Sequence, residues 1–376
     1  MIASRAHKIK LMPTPEQQEK LRRRFLQGQA VRHLCIEWSR EMYAAWKQDP
    51  ANNAYPSYEA MDKRYTKEKP EEGNLLPRCS AQRKVRDTWK AVENHIKHPD
   101  KYACPDYTKK RDVHEYTLYV NNQAAEVGTD HGKPYVHFPK LGLIRLAEEF
   151  RFKGARIMSY TFSWDCVDMY VSIQAQVEVT PMCTNDSTVG VDVGLKHIAV
   201  ASDGTTLDYP KAYKKAQKRV RAEQRKLQRK VQDSNNYWKQ YRRLKKAYKR
   251  KANVINDALH KYTTRLCKTH STVVTENLSI ADLIKTSEKW MRRGFALSQM
   301  KRLIQLLQYK AAIYRQVERF FASSKTCSRC GYKNNALTLA DRTYVCPECG
   351  LQIDRDLNAA HNIRNFIVGS VRPDLR

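Results

Sequence analysis

Four cysteines near the end of the chain carry the plainest chemistry. Cys327 and Cys330 form one Cys-x-x-Cys pair, Cys346 and Cys349 another, and 15 residues separate them. That spacing is the signature of a zinc ribbon, in which two tight turns each present two thiolates to a tetrahedral ion. Gly331 and Gly350 follow the second cysteine of each pair and free the backbone where the turn closes on the metal. Two disulfides are the alternative, disfavoured for a chain in a reducing compartment. Four thiolates fill the coordination sphere, so one structural Zn2+ is expected rather than a catalytic one.

Three acids form the second constellation: Asp192 in VGVDVG, Glu276 in VVTEN and Asp356 in IDRDLNAAHN. Each ends or follows a segment of strand character, and a carboxylate buried there without a cation or donor is costly. Taken singly, each could be a helix cap or a surface carboxylate. Together, on adjacent strands crossed by a helix, they would make an oxygen-rich site for magnesium. Two such ions, roughly 3.5–4 Å apart, can activate a water and stabilise the leaving oxygen of a phosphodiester. Asp354, two residues before Asp356, is the alternative third acid.

The composition points to the substrate class. The 69 Lys and Arg exceed the 39 Asp and Glu by 30, far beyond the needs of solubility, and imply a polyanionic partner. The charge is interleaved with 21 Tyr, 6 Trp and 9 Phe, which favours nucleic acid, where bases stack on rings, over an acidic membrane surface. No stretch of about 18 apolar residues offers a membrane span, and MIASRAHKIK lacks the apolar core of a signal peptide. A cytoplasmic, nucleoid-associated protein of a prokaryote is expected, with the six remaining cysteines as small buried thiols.

Several elements must position these groups. HKIKLMPTPEQQEKLRRRF reads as a strand and then a helix, with Thr14, Pro15 and Gln17 as capping box and first turn. Leu21, Phe25, Leu34, Trp38 and Met42 line one helical face while Arg22 to Arg24 point elsewhere; Val85, Trp89, Val92 and Ile96 line another, with residues 48–77 as the loop between. Residues 115–179 alternate β-branched and aromatic residues in the manner of a small sheet or barrel. The segment VGVDVGLKHIAVASDGTTLDYP gives two or three short strands. Residues 211–251, with 18 Lys or Arg against 2 acids, read as a basic helical hairpin with a thin seam of Val220, Leu227, Val231 and Trp238. Lys214, Lys218, Arg221, Arg225, Arg242 and Lys245 are its candidate phosphate contacts. A strand at STVVTE follows, and 295–317 reads as one further helix.

VGVDVGLKHIAVASDG, TENLSI, FFASSKTCSRCG and DRDLNAAHNI resemble the successive signature segments of the TnpB family, transposon-encoded RuvC-like proteins related to type V CRISPR effectors. RAHKIKLMPTPEQQEKLRRRF, LPRCSAQRKVRDTWKAVENHIKH and FPKLGLIRL extend the resemblance over most of the chain. It implies a multidomain α/β and α+β protein: an RNase H-like RuvC core (189–321 and 352–369) with an inserted zinc ribbon (322–351), and a β-barrel-like wedge domain (1–14 and 106–180) with an inserted helical recognition unit (15–105). A linker (181–188) and a tail (370–376) complete the division. The resemblance assigns the catalytic, magnesium-binding acids to Asp192, Glu276 and Asp356. It implies an RNA-guided DNA endonuclease that binds a guide RNA from the transposon end, reads a short target-adjacent motif and cuts double-stranded DNA, with no small-molecule substrate. Gln82, Lys84 and Arg86 are candidates for reading that motif. A strand-transfer transposase and a nuclease-inactive RNA-guided repressor are the rival readings; retention of all three acids argues against the second. Oligomeric state, guide sequence and motif are not written in the residues.

Overall fold

The computed structural model describes residues 2–68, 76–106, 116–121, 123, 125–279, 282, 284, 285, 299–319, 321–338 and 341–368. The chain divides into two compact units, Met1–Val179 with Gln232–Trp238, and Thr180–Val231 with Lys239–Arg376.

In the first unit, strand β1 (Ile2–Met12) alternates in burial and leads into helix α1 (Pro15–Gln48). The expected capping box is present. The Thr14 hydroxyl accepts from the Gln17 amide at 3.2 Å, and the Gln17 side chain accepts from the Thr14 amide at 3.1 Å. Helices α2 (Tyr58–Glu68) and α3 (Arg78–Lys97) complete a helical insertion between β1 and β2 (Tyr116–Asn121). Residues 48–77 are therefore more than a loop. Met61 and Tyr65, one turn apart, are buried, and the Arg64 guanidinium stacks 4.9 Å from the Trp38 ring.

Strands β3 (Glu126–Asp130), β4 (Lys133–Phe138), β5 (Gly142–Leu146), β6 (Arg156–Trp164) and β7 (Met169–Glu178) join β1 and β2 in a seven-stranded antiparallel sheet, ordered β2-β6-β7-β1-β5-β4-β3. β1 bridges its two halves, pairing with β7 along Ile2–Lys10 and with β5 at Leu11 and Met12. Sheet and helices share one apolar core. Arg24, expected to face away from the apolar side, is buried instead: its guanidinium donates to the carbonyls of Pro139 (2.7 Å) and Lys140 (3.3 Å) over the Phe138 ring. A buried cation is tolerated because its donors are met.

The second unit is built on a five-stranded sheet ordered β10-β9-β8-β11-β12. β8 (Thr188–Asp192), β9 (Ala199–Ala201) and β10 (Thr206–Leu207) form the expected antiparallel run. β11 (Thr272–Thr275) lies parallel to β8, and β12 (Ile313–Gln316) parallel to β11. The single helix expected over 295–317 is, among the described residues, helix α6 (Met300–Lys310) followed by β12. The Ala311 cap turns extended, and the β-branched and aromatic Ile313 and Tyr314 gain a ladder on β11 that a helix would forgo. Between β10 and β11, helices α4 (Lys211–Gln228) and α5 (Asn235–Thr269) form the basic hairpin. Its seam is Val220, Leu244 and Ala247 with Leu227, not Val231, which is 79% exposed, nor Trp238, which belongs to the first unit. The last described elements are the two-stranded β13 (Thr343–Val345) and β14 (Gln352–Asp354), and helix α7 (Arg355–Val368).

Candidate active site

β8 and β11 are in register with Thr275 opposite Val191, so the next residue of each strand, Asp192 and Glu276, emerges at the same carboxyl end of neighbouring parallel strands. Such ends are where open α/β sheets place their ligand sites. α7 crosses β8 at Gly190, so closely that a Cβ there would lie 2.2 Å from the Ala360 carbonyl oxygen and 2.5 Å from the Arg364 nitrogen. Only glycine permits this approach, which brings the first turn of α7, with Asp356, to the strand ends.

The three carboxylates influence one another. Burial, then the charges of Glu276 and Asp356, hold Asp192 well above the ordinary carboxylate range, against the pull of the Val193 amide and Arg355. Asp192 keeps part of its surface open to solvent although its carboxyl lies deep in protein. Burial also raises Glu276, opposed by a hydrogen bond from the Ser323 hydroxyl to Glu276 Oε1. Crowded acids without a cation destabilise each other's charged forms, and an all-oxygen donor set suits a hard divalent ion. The carboxylates do not close into a cluster as tight as that of the cysteines. A cavity of about 450 Å³ opens beside Glu276, lined also by Leu278, Asp282, Arg319 and Phe321.

Asp354 has another task. Its Oδ1 accepts from the amides of Asp356 (2.9 Å) and Leu357 (3.1 Å), capping α7, and its side chain faces solvent. Ser323 escaped the sequence reading. A serine in an SSK run gives no signal of its own, and its partner is 47 positions away.

The four cysteines converge, with all ligand atoms within 4.8 Å of one another. The Cys327–Cys349 and Cys330–Cys346 sulfurs are 3.6 and 3.5 Å apart, near the edge of about 3.8 Å that four thiolates about 2.3 Å from zinc would have. Each pair sits on a knuckle: the Cys327 and Cys346 amides donate to the Tyr332 and Leu351 carbonyls, and Gly331 and Gly350 adopt positive φ of 79° and 69° and donate back to the Cys327 and Cys346 carbonyls. The arrangement fits a tetrahedral zinc ion. Tyr344, fully buried among the cysteines, donates to Tyr332 O at 3.1 Å.

Lys214, Lys218, Arg221 and Arg225 recur at helical spacing on one exposed face of α4, and Arg242 is exposed on α5. Lys245 is half-buried over the Tyr241 ring. On α3, Gln82 is half-buried, and Arg86 is exposed, over the Tyr58 ring at 5.1 Å. Lys84 is half-buried with its Nζ 3.5 Å from the Thr117 hydroxyl, and burial lowers its pKa.

The sheet thus has a parallel β8-β11-β12 core with acids at its carboxyl end, extended by an antiparallel hairpin and crossed by α7. Three families match: one described as "Probable transposase" over residues 170–287, a "Cas12f1-like, TNB domain" over 301–363, and a "Helix-turn-helix domain" over 1–26, the last of which is here a strand followed by the start of α1. A Streptomyces pristinaespiralis protein described as a putative RNA-guided DNA endonuclease is 30% identical over 56% of this chain and 53% of its own length, so the chain spans about half of that relative. The Escherichia coli protein InsQ, described in the same words, is 27% identical over 76% of this chain and 74% of its own. The Cas12f1 chain of a complex with sgRNA and target DNA superposes with a TM-score of 0.60 over 97% of this chain and 99% of that one, at 13% identity. The chain is thus similar, over three separate segments, to families of transposase and Cas12f1-like type. Among the described residues no helix is long and apolar enough to cross a membrane.

Proposed function

We propose that this protein is an RNA-guided DNA endonuclease that hydrolyses phosphodiesters at Asp192, Glu276 and Asp356. The observation that carries the reading is the emergence of Asp192 and Glu276 at one end of adjacent parallel strands under the first turn of α7, where burial and the neighbouring acids raise Asp192 in spite of Arg355. Two divalent cations, Mg2+ being the natural choice for carboxylate oxygens, would supply a nucleophile at neutral pH and charge compensation for the leaving oxygen. The chain's own residues do the rest. Asp192, Glu276 and Asp356 hold the cations, and Asp354 fixes the start of α7 so that Asp356 points inward. In this reading one centre serves both DNA strands, which are cut in turn. The exposed basic face of α4 binds phosphates of the guide RNA or its heteroduplex, leaving sequence choice to base pairing. One zinc in the ribbon is structural.

The test is Asp192→Ala in protein purified with its own cellular RNA. Cleavage of matched DNA should vanish while RNA binding persists; undiminished cleavage rejects the assignment. The "Probable transposase" match favours a second reading, DNA strand transfer. Joined products formed without RNA would establish it in place of guided hydrolysis.

A further inference from the structure

Three asparagines of α7, Asn358, Asn362 and Asn365, recur at helical spacing, and all three are buried. A buried amide is costly unless its donors and acceptor are met. All three amides donate to one short segment, Ser323–Ser328, which leads into the first cysteine knuckle. Asn358 donates to Thr326 O at 2.7 Å and accepts from the Ser328 amide at 3.0 Å; Asn362 donates to the carbonyls of Ser323 and Thr326, each at 2.7 Å; Asn365 donates to Ser328 O at 3.5 Å. The segment is thus gripped by the helix that bears Asp356. Cys327 lies one residue before its far end, and its near end is Ser323, 5% exposed, whose hydroxyl donates to Glu276 Oε1.

One peptide therefore touches three things: the ribbon's first thiolate, the helix of the third acid and the carboxylate of the second. We infer that Ser323 is a positioning residue that fixes the orientation of the Glu276 carboxylate for cation binding, and that Asn358 and Asn362 transmit the fixed geometry of the ribbon to it. This rests on the acid cluster proposed above as the cation site, but not on the reaction carried out there. The chemistry is that of an outer-shell partner. With one oxygen of Glu276 engaged by the hydroxyl of a serine whose backbone carbonyl is held by Asn362, the carboxylate keeps a single rotamer and presents its other oxygen outward. Without the hydroxyl, the carboxylate must be ordered by the cation itself, at a cost in affinity.

The experiment uses full-length protein with its RNA and reads cation binding directly, by Mn2+ electron paramagnetic resonance titration, alongside cleavage at varied Mg2+. Ser323→Ala is expected to weaken Asp192-dependent Mn2+ binding about tenfold and to raise half-saturating Mg2+ by the same factor, with the rate at saturating Mg2+ nearly kept. Ser323→Thr, which retains the hydroxyl, should restore both. Zinc content and RNA binding should match the parent, since neither thiolates nor basic face is touched. Should Asn362→Ala fold, it should weaken Mn2+ binding in the same direction; Ser323→Ala alone decides. Unchanged Mn2+ affinity in Ser323→Ala, or weakened affinity not restored by threonine, overturns the inference. If the parent binds Mn2+ through Asp192 yet cuts no matched DNA, the proposed function fails while the role of Ser323 is still measured.

Discussion

The sharpest test of the architecture is Gly190→Ala, far smaller than any active-site substitution. An added methyl would stand 2.2 Å from the Ala360 carbonyl oxygen and 2.5 Å from the Arg364 nitrogen, both backbone atoms of α7, where ordinary contact begins at 3.4 Å. No side chain can swing aside, so helix or strand must retreat by about 1.2 Å, the difference between 3.4 and 2.2 Å. Overpacking of this kind costs about 1–3 kcal/mol of stability. The retreat also carries Asp356 away from Asp192, and about 1 Å of misplacement can cost about a hundredfold in rate. Gly204→Ala serves as the control: its positive φ of 83° makes alanine strained, but nothing lies within 4 Å of the new methyl. Melting by calorimetry and single-turnover cleavage well below both melting points should separate the two. Gly190→Ala should lose stability and most of its cleavage rate; Gly204→Ala should lose stability alone. Gly190→Ala with parental melting and parental rate would refute the claim that α7 is seated by the missing side chain.

Other outcomes follow from the same geometry. Asp354→Ala should cost about 1 kcal/mol through the lost cap and leave measurable cleavage, whereas Asp356→Ala should abolish cleavage; equal loss of activity would make Asp354 a fourth ligand. Because burial raises both Asp192 and Glu276, the folded, magnesium-free protein holds protons that the unfolded chain has released. The contribution of this cluster is then greatest at mildly acid pH and is lost as pH climbs from the ordinary carboxylate range toward the raised values. Added Mg2+ should therefore raise the melting temperature more near about pH 7.5 than near about pH 5.5, and Asp192→Asn should abolish most of that difference. Replacing Lys218 and Arg225 by Ser should reduce the slope of log RNA affinity against log salt by about 2, each phosphate contact contributing about 0.9. Cys346→Ser should lose the bound zinc, measured by mass spectrometry, and expose the ribbon to proteolysis while leaving the first unit's resistance unchanged.

What could be read from sequence divides along the range of the interaction. The capping box at Thr14, the cysteine knuckles and the basic run of α4 are local patterns, and local physics suffices for them. The expectation that each acid ends or follows a strand was also local, and β8, β11 and β14 do precede Asp192, Glu276 and Asp356. β12 was unreadable, since AAIYRQV is as apolar as a helix turn, and only the open edge of β11 makes it a strand. Arg24 likewise looked like solvent-facing charge until the carbonyls of Pro139 and Lys140, over a hundred positions away, supplied its partners. Gly190 and Ser323 belong to the same class. A glycine in a strand and a serine in a loop have no periodicity, and their meaning lies wholly in a helix or carboxylate far away in the chain.

The ribbon's position in the chain now has a physical rationale. Residues 318–354 separate the sheet edge from α7, and shortening that connection by a metal clip would contribute little through loop entropy alone, since each doubling of loop length costs only about 0.6 kcal/mol. Orientation is the larger effect. β14 ends at Asp354, whose side chain caps the helix beginning at the next residue, while the Arg355 amide donates to Arg342 O at 2.9 Å just before β13. The axis and rotational phase of α7 are thereby set by a strand pair that the thiolate cluster pins at its Val345–Gln352 end. Asp356, one residue into the helix, inherits that phase, and Ser323, on the other arm of the same ribbon, carries it to Glu276. A zinc site with no vacancy for substrate would in this way govern the geometry of the proposed cation site.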